Sequence, residues 1–176
     1  LERQPEADRF YTMRGQRLGK FGLELSAEKT RVIPFSRQPP APKTSFEFLG
    51  FECRWDKDRA GQDHITRRTA RKKLRNSLKR FTQWCRENRN LRLGVLFARL
   101  NAKLRGYYNY YGVPGNFAGL KQFFSHALGI LKKWLNRRSQ RRSCNWAGYN
   151  ELLAHFNIER PRIFGRPQTR VAASKA

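Results

Sequence analysis

Acidic residues are scarce in this chain. Its 176 residues include 13 Asp and Glu against 38 Lys and Arg, a formal net charge of +25. The shortage is uneven: residues 1–58 hold 9 acidic and 11 basic residues, whereas residues 59–176 hold 4 and 27. From Asn88 to Asn150 there are twelve Lys and Arg and no Asp or Glu at all. A surface so depleted of negative charge repels itself until a polyanion neutralises it, and the commonest polyanion is a nucleic-acid backbone. The step in charge near residue 60 points to two parts with different work.

Cysteine and histidine are also sparse. Cys53, Cys85 and Cys144 lie far apart with no C-x-x-C pair, which leaves zinc and disulfide frameworks unsupported and favours reduced thiols. His64, His126 and His155 are scattered, and His126, set among apolar residues, reads as a packed or capping residue. No apolar run approaches the roughly 20 residues that span a bilayer. The polar residues Leu1 to Pro5 predict no signal peptide. A membrane-surface role fits poorly, because the basic residues share their segments with apolar stripes that read as core. No phosphate-binding loop, no H-E-x-x-H and no nucleophile elbow is present. Paired carboxylates for a metal are wanting too: Asp56 and Asp58 sit in a turn-like stretch with Lys57 and Arg59, and Asp8 stands beside Arg9.

Aromatic residues, by contrast, are plentiful: 13 Phe, 6 Tyr and 4 Trp argue for a packed core. Pro5 to Lys20 reads as a helix, with Ala7, Phe10, Tyr11, Leu18 and Phe21 at near-helical spacing and Gly22 at its stop. Thr30 to Phe35 reads as a strand in which Pro34 favours an edge or a bulge, and the prolines of 37–45 as a linker. Phe46 to Trp55 reads as the best strand, interrupted at Gly50; Asp56 to Asp63 as a hairpin loop; His64 to Thr66 as a short return strand. The period then becomes helical. Leu74, Leu78, Phe81 and Cys85 form one stripe, with Arg67, Arg68, Arg71, Lys72, Lys73, Arg75, Lys79 and Arg80 on the other faces. A second helix is expected over Leu93 to Tyr111, with Leu93, Leu96, Leu100, Leu104, Tyr107 or Tyr108, and Tyr111 inward. A third follows a cap at Asn116, with Leu120, Phe123, Phe124, Ala127, Leu131 and Trp134 or Leu135 inward. A shorter fourth would hold Trp146, Tyr149, Leu153 and Phe156, and a loose tail would begin at Arg160.

Three constellations point to a ligand. The basic helix expected over 67–80 has no acid between Asp63 and Glu87, whereas a merely solvated helix mixes signs. Four tyrosines fall within Tyr107 to Tyr111 and cannot all face one core; Tyr107 and Tyr111 share a face while Tyr110 lies elsewhere, so some rings should reach a partner, as in stacking on unpaired bases. Packing at the core margin is the equal expectation for two of them. Third, Lys132 and Lys133 are followed by Arg137, Arg138, Arg141 and Arg142, a dense phosphate-binding cluster at a helix C-terminus.

These features come with a family resemblance. Phe21-Gly22-Leu23-Glu24-Leu25-Ser26-Ala27-Glu28-Lys29-Thr30 resembles the segment after the catalytic strand pair of group II intron reverse transcriptases, and Phe48-Leu49-Gly50-Phe51 resembles their next block. Leu100-Asn101 with Leu104-Arg105-Gly106-Tyr107-Tyr108-Asn109-Tyr110-Tyr111 is similar to the core of the maturase-specific, or thumb, domain; Trp134 to Ser139 and Arg160 to Ile163 are similar to its later part. The resemblance covers roughly residues 6–165 in the family's order. It implies an α+β chain: a small antiparallel β remnant of a reverse-transcriptase palm over 1–60, an α-helical thumb/maturase bundle over 64–158 and a basic tail over 159–176.

It further implies an intron-encoded protein of a mobile element, an RNA-directed DNA polymerase (a nucleotidyltransferase) that also assists RNA splicing. By that resemblance Lys29 is an accessory catalytic residue, Phe48, Leu49, Gly50 and Phe51 form a primer-grip-like hairpin, and the helices from Arg68 to Arg142 contact RNA. The RNA-binding set comprises Arg67, Arg68, Arg71, Lys72, Lys73, Arg75, Lys79, Arg105, Tyr107, Tyr108, Tyr110, Lys132, Lys133, Arg137, Arg138, Arg141 and Arg142. The family's acidic metal box, Tyr-Ala-Asp-Asp, is missing from this sequence, as are fingers and most of the palm, and the chain opens without Met. The expectation is therefore a C-terminal fragment or truncated gene product, inactive alone, with no cofactor or metal of its own and Mg²⁺ needed by the full-length parent. Expected partners are RNA (group II intron RNA first) and an RNA–DNA duplex, with no membrane; the expected compartment is the cytoplasm of a bacterial-type cell, in association with the nucleoid. A stand-alone RNA-binding module and a decayed mobile-element remnant without catalysis are the rival expectations.

Overall fold

The computed structural model describes residues 4–26, 28, 30, 45–58, 60–138 and 144–164. Among these residues the chain is mixed α+β, with five helices and one three-stranded antiparallel sheet. It divides into two compact units, residues 1–44 and 45–176. The boundary expected near residue 60 instead falls in a hairpin loop inside the second unit, because the strands on either side of that loop pair with each other.

The first unit holds α1, Gln4–Gly19. It ends where Gly22 permits a left-handed turn at φ 68°. Gly22 N–H donates to Gly19 O and Leu23 N–H to Leu18 O, the paired bonds of a Schellman motif. Phe10 of its expected inner stripe is 55% exposed within the chain. The strand expected over Thr30 to Phe35 lies outside the described residues apart from Thr30, and so does the proline linker ahead of Ser45.

The second unit opens with strands β1, Ser45–Phe48, β2, Phe51–Lys57, and β3, Asp63–Thr69, in the order β1-β2-β3. The single strand expected over Phe46 to Trp55 is therefore two. Leu49 and Gly50 make a two-residue turn with φ of 49° and 81°, the sign pattern of the hairpin turn that matches strand twist. Gly50 takes this conformation freely; leucine does not, which hid the turn. The hairpin loop expected over Asp56 to Asp63 is shorter, because Asp56, Lys57 and Asp63 belong to the paired strands; within it Asp58 Oδ1 accepts from the amides of Ala60 and Gln62 at 2.8 and 2.9 Å, with Gly61 at φ 75°.

Four helices follow: α2, Arg71–Asn88, α3, Leu93–Tyr111, α4, Phe117–Leu135, and α5, Trp146–His155. Their apolar stripes meet as the spacing dictates. Leu74, Phe81 and Cys85 of α2 pack with Leu100, Leu104 and Tyr108 of α3, Leu120, Phe123, Ala127 and Leu131 of α4, and Tyr149 and Leu153 of α5. Each fully buried Leu or Phe contributes about 1.5–3 kcal/mol. Trp146, expected inside, is 63% exposed, and Leu93 lies at the margin at 36%. All three cysteines are free, and burial pushes the Cys85 thiol up to about 12.

Ring contacts give the helix directions. Phe81 meets Phe123 at 6.1 Å and Arg89 meets Trp134 at 5.6 Å, so α2 and α4 run parallel. Lys103 lies over Trp84 at 5.5 Å and Arg99 bonds Asn88 at 3.3 Å, so α3 runs against α2. Asn116 is fully buried and differs from its expected role: its side chain makes no cap bond to α4. It accepts from Thr69 N–H at 2.9 Å and donates to Thr69 Oγ1 and Tyr111 O at 2.8 Å each, tying the end of β3 to α3 and α4. A Cβ on Gly119 would lie 2.5 Å from Asn116 Oδ1, so only glycine leaves room for the clasp. Asn145 does cap α5, accepting from Gly148 N–H at 2.8 Å.

The tail is not loose where it is described. Residues 156–164 run alongside α3: Asn101 accepts from Glu159 N–H at 3.0 Å, Tyr108 donates to Glu159 O at 3.2 Å, Phe164 N–H donates to Gly112 O at 2.6 Å, and Ile163 packs on the core. Side chains of α3 hold the segment there: Asn101, Arg105 and Tyr108 bond its backbone and the Glu159 carboxylate. Among the described residues no helix is long and apolar enough to cross a membrane.

Candidate nucleic-acid interface

The basic arm from residue 67 to 80 begins one element earlier than expected. Arg67 and Arg68 lie on β3, not on the helix, and so project to opposite faces of the sheet. The register sets Arg67 opposite Cys53 and Arg68 opposite Glu52. The helix starts only at Arg71, because buried Ala70 is pinned by its N–H to Gly50 O at 3.0 Å while its carbonyl accepts from Leu74.

Three cations, Arg71, Lys72 and Lys73, then occupy the first turn of α2, which has no acidic residue and no side-chain cap. The amide end of a helix is positive, so each such cation destabilises the isolated fold by a few tenths of a kcal/mol. Arg71, Lys72, Lys73, Arg75 and Lys79 are all exposed, and none forms an ion pair among the described residues. Arg71, Arg75 and Lys79 follow at intervals of four and share one face.

Between this face, the sheet and the start of α4 lies a groove of about 990 Å³, lined by Arg54 and Arg68 on the sheet, Arg71 and Arg75 on α2, and Gln122 and His126 on α4. His126 is thus an exposed groove residue and not packed in the core. Asp56 bridges Arg54 at 3.2 Å and Arg68 at 3.6 Å. The Lys57 N–H, with those guanidiniums, holds the Asp56 carboxyl below its usual range.

The tyrosine cluster is mostly absorbed by the fold. Tyr108 is fully buried with its hydroxyl on Glu159 O. Tyr107 stacks on Phe123 at 3.7 Å and leans on Tyr111 at 4.7 Å. Burial raises the hydroxyl pKa of both. Neither ring is placed to stack on a base, which corrects that expectation: Tyr107 faces Phe123 of α4 and Tyr108 faces the core and the returning tail. Tyr110 is the exception. It is 53% exposed, stacks on Phe51 at 6.0 Å and donates to Leu49 O at 2.8 Å. It thereby braces the β1–β2 turn, from which Phe48 and Leu49 project at 62% and 66% exposure while Gly50 and Phe51 lie against α3.

A second basic cluster sits where α2 and α4 both end. Lys132 lies over the exposed Trp146 ring at 3.2 Å, and Arg89 and Arg137 both approach Trp134, at 5.6 and 5.3 Å. Lys133 and Arg137 are exposed. Arg138 is a strut instead: half-buried, it donates to Leu91 O at 2.7 Å. Arg105 is likewise engaged internally, bonding Glu159 Oε1 through Nε at 3.1 Å and Nη2 at 2.8 Å. Both differ from the expected free cations, because tertiary packing brings the Leu91 carbonyl to Arg138 and the Glu159 carboxylate to Arg105. Arg141, Arg142 and Lys29 lie outside the described residues.

Sequence reasoning missed Arg54, the Glu47 and Glu52 side chains in the groove, and the approach of Arg89 to Trp134. Strand alternation alone would have put Arg54 and Glu52 on one face; nothing in the sequence joins Arg89 to Trp134. Among the described residues no group of three or more His, Cys, Asp or Glu is placed to hold a metal ion. No family model, curated protein or solved structure matches the chain.

Proposed function

We propose that this chain binds RNA, along a surface that runs from β3 and the first turns of α2 to the basic cluster at the far end of that helix. The observation that carries the reading is the start of α2, where exposed cations crowd the positive end of a helix dipole with no ion pair among the described residues. Folding disfavours every one of those placements, and a phosphate backbone reverses the sign of each. Arginine at intervals of one turn suits bidentate contacts to successive phosphates.

The sequence resemblance narrows the partner. In that reading the chain is the C-terminal part of a group II intron reverse transcriptase/maturase, gripping intron RNA to assist splicing and, in a full-length parent that holds Mg²⁺, supporting RNA-directed DNA synthesis on an RNA–DNA duplex. The β1–β2 turn then serves as the hairpin against the primer. Bacterial cytoplasm is the compartment this reading requires.

The test is the salt dependence of binding to a folded RNA. The logarithm of the binding constant should fall steeply with the logarithm of salt concentration. Replacing Arg71, Lys72, Arg75 and Lys79 by Ala should flatten that slope by about 3, each cation releasing about 0.7 to 0.9 counterions. An unchanged slope removes this face from the site, and no binding in dilute buffer ends the reading.

A further inference from the structure

The groove contains two carboxylates where a surface for phosphates alone has no use for them. Glu47 and Glu52 stand directly opposite each other across the β1–β2 ladder, and both line the groove. Phe48 and Phe51 close the two-residue turn, so the next pair, Glu47 and Glu52, is the kind in which side chains come closest. Like charges opposite one another weaken a sheet. Neither carboxylate forms an ion pair among the described residues, and the guanidinium nearest in register, Arg68, is directed to Asp56. The opposite wall carries Arg71 and Arg75, one turn apart on one face.

A ligand that relieves both features must bring anionic groups to one wall and hydrogen-bond donors to the other. A ribonucleotide strand does so, because each phosphate is accompanied by a 2′-hydroxyl that can donate to a carboxylate. We propose that this groove recognises ribose: Glu47 and Glu52 accept hydrogen bonds from the 2′-hydroxyls of a strand whose phosphates lie on Arg71 and Arg75. The inference rests on the RNA-binding reading above and adds to it a preference for RNA over DNA of the same base sequence. A deoxyribose strand offers no sugar donor there and leaves the carboxylates repelling the backbone, so attraction and repulsion act in the same direction.

The experiment measures fluorescence anisotropy of two single strands with identical bases, one RNA and one DNA containing deoxyuridine. The intact chain should bind the RNA about tenfold more tightly, the scale of one hydrogen bond to a charged group. Glu47→Ala with Glu52→Ala should bring the ratio close to one, chiefly by tightening the DNA complex. Glu47→Gln with Glu52→Gln, which removes the charge and keeps an acceptor, should lower the ratio part of the way. Lys132→Ala with Lys133→Ala should weaken both complexes and leave the ratio in place. Both glutamate pairs should melt no lower than the intact chain, since a like-charge pair is removed. Equal binding of the two sugars by the intact chain overturns the inference while leaving nucleic-acid binding intact. So does a ratio that survives both glutamate pairs. Failure to bind either strand in dilute buffer overturns the RNA-binding reading itself.

Discussion

The basic start of α2 and the tyrosine run of α3 are equally conspicuous in the sequence, and the fold treats them in opposite ways. On α2 the cations stay outside with no ion pair among the described residues. On α3, Tyr108 is buried in the core, Tyr107 packs half-buried against it, and only Tyr110 reaches the surface to a large extent. A guanidinium or ammonium group has no place in an apolar interior, so a run of them predicts surface. A tyrosine has a large apolar ring and one polar atom, and either environment satisfies it once the hydroxyl finds an acceptor. Charge therefore marks an exposed face more reliably than aromaticity marks a stacking platform.

The comparison can be broken by substitutions that trade the two roles. The largest effect is expected from Tyr107→Ala, which removes the ring stacked on Phe123. It should destabilise the fold by about 3–5 kcal/mol in a denaturant melt. The contrast fails if this variant melts normally and instead loses RNA. Next is alkaline unfolding. Cys85, Tyr107, Tyr108 and Tyr149 are buried in neutral form with raised pKa values, so their stabilising effect is intact below the unfolded pKa, 9.0 for the Cys85 thiol, and is lost as pH rises towards about 12. Between those limits the unfolded chain has released protons that the folded chain retains. The melting temperature should drop by several degrees over that range, and a flat profile would show these groups to be solvated.

Arg71→Ala with Arg75→Ala should act the other way round. RNA affinity should fall by roughly 3 kcal/mol at moderate salt, the low end for two charge-assisted contacts. Stability should hold or rise by about 0.3–1 kcal/mol, because a cation leaves the positive helix end. A lowered melting temperature would assign these arginines to the fold. The smallest effect belongs to Leu49→Gly, which should stabilise the hairpin by about 0.5–1 kcal/mol by relieving a positive φ in a non-glycine residue. If stability falls instead, the Leu49 side chain contributes contacts that outweigh its backbone strain.

Much of the helical unit was legible because its stripes keep a strict period: α3 spans Leu93–Tyr111 as its spacing requires, and Leu74, Phe81 and Cys85 of α2 are buried together. The sheet was less so. The β1–β2 turn places a leucine where asparagine or aspartate would have announced it, and β3 reaches Thr69 through two arginines that look helical beside Arg71. The internal engagement of Arg105 and Arg138 was invisible, since Glu159 and the Leu91 carbonyl are brought up by tertiary packing from 54 and 47 residues away. The groove likewise depends on a strand face, a helix start and a second helix start meeting, which no local pattern encodes.

The parallel course of α2 and α4 makes the unit an electrical dipole. The amide ends of both helices open beside Arg71 and Ala118 at the groove, and both carbonyl ends point towards Arg89 and Arg137; α3, running the other way, cancels one of the two. The cations at the far end therefore spend part of their field on backbone carbonyls, while those at the groove are reinforced by the backbone behind them. As ionic strength climbs, a bound strand should peel away from the Trp134 end first and leave the groove last.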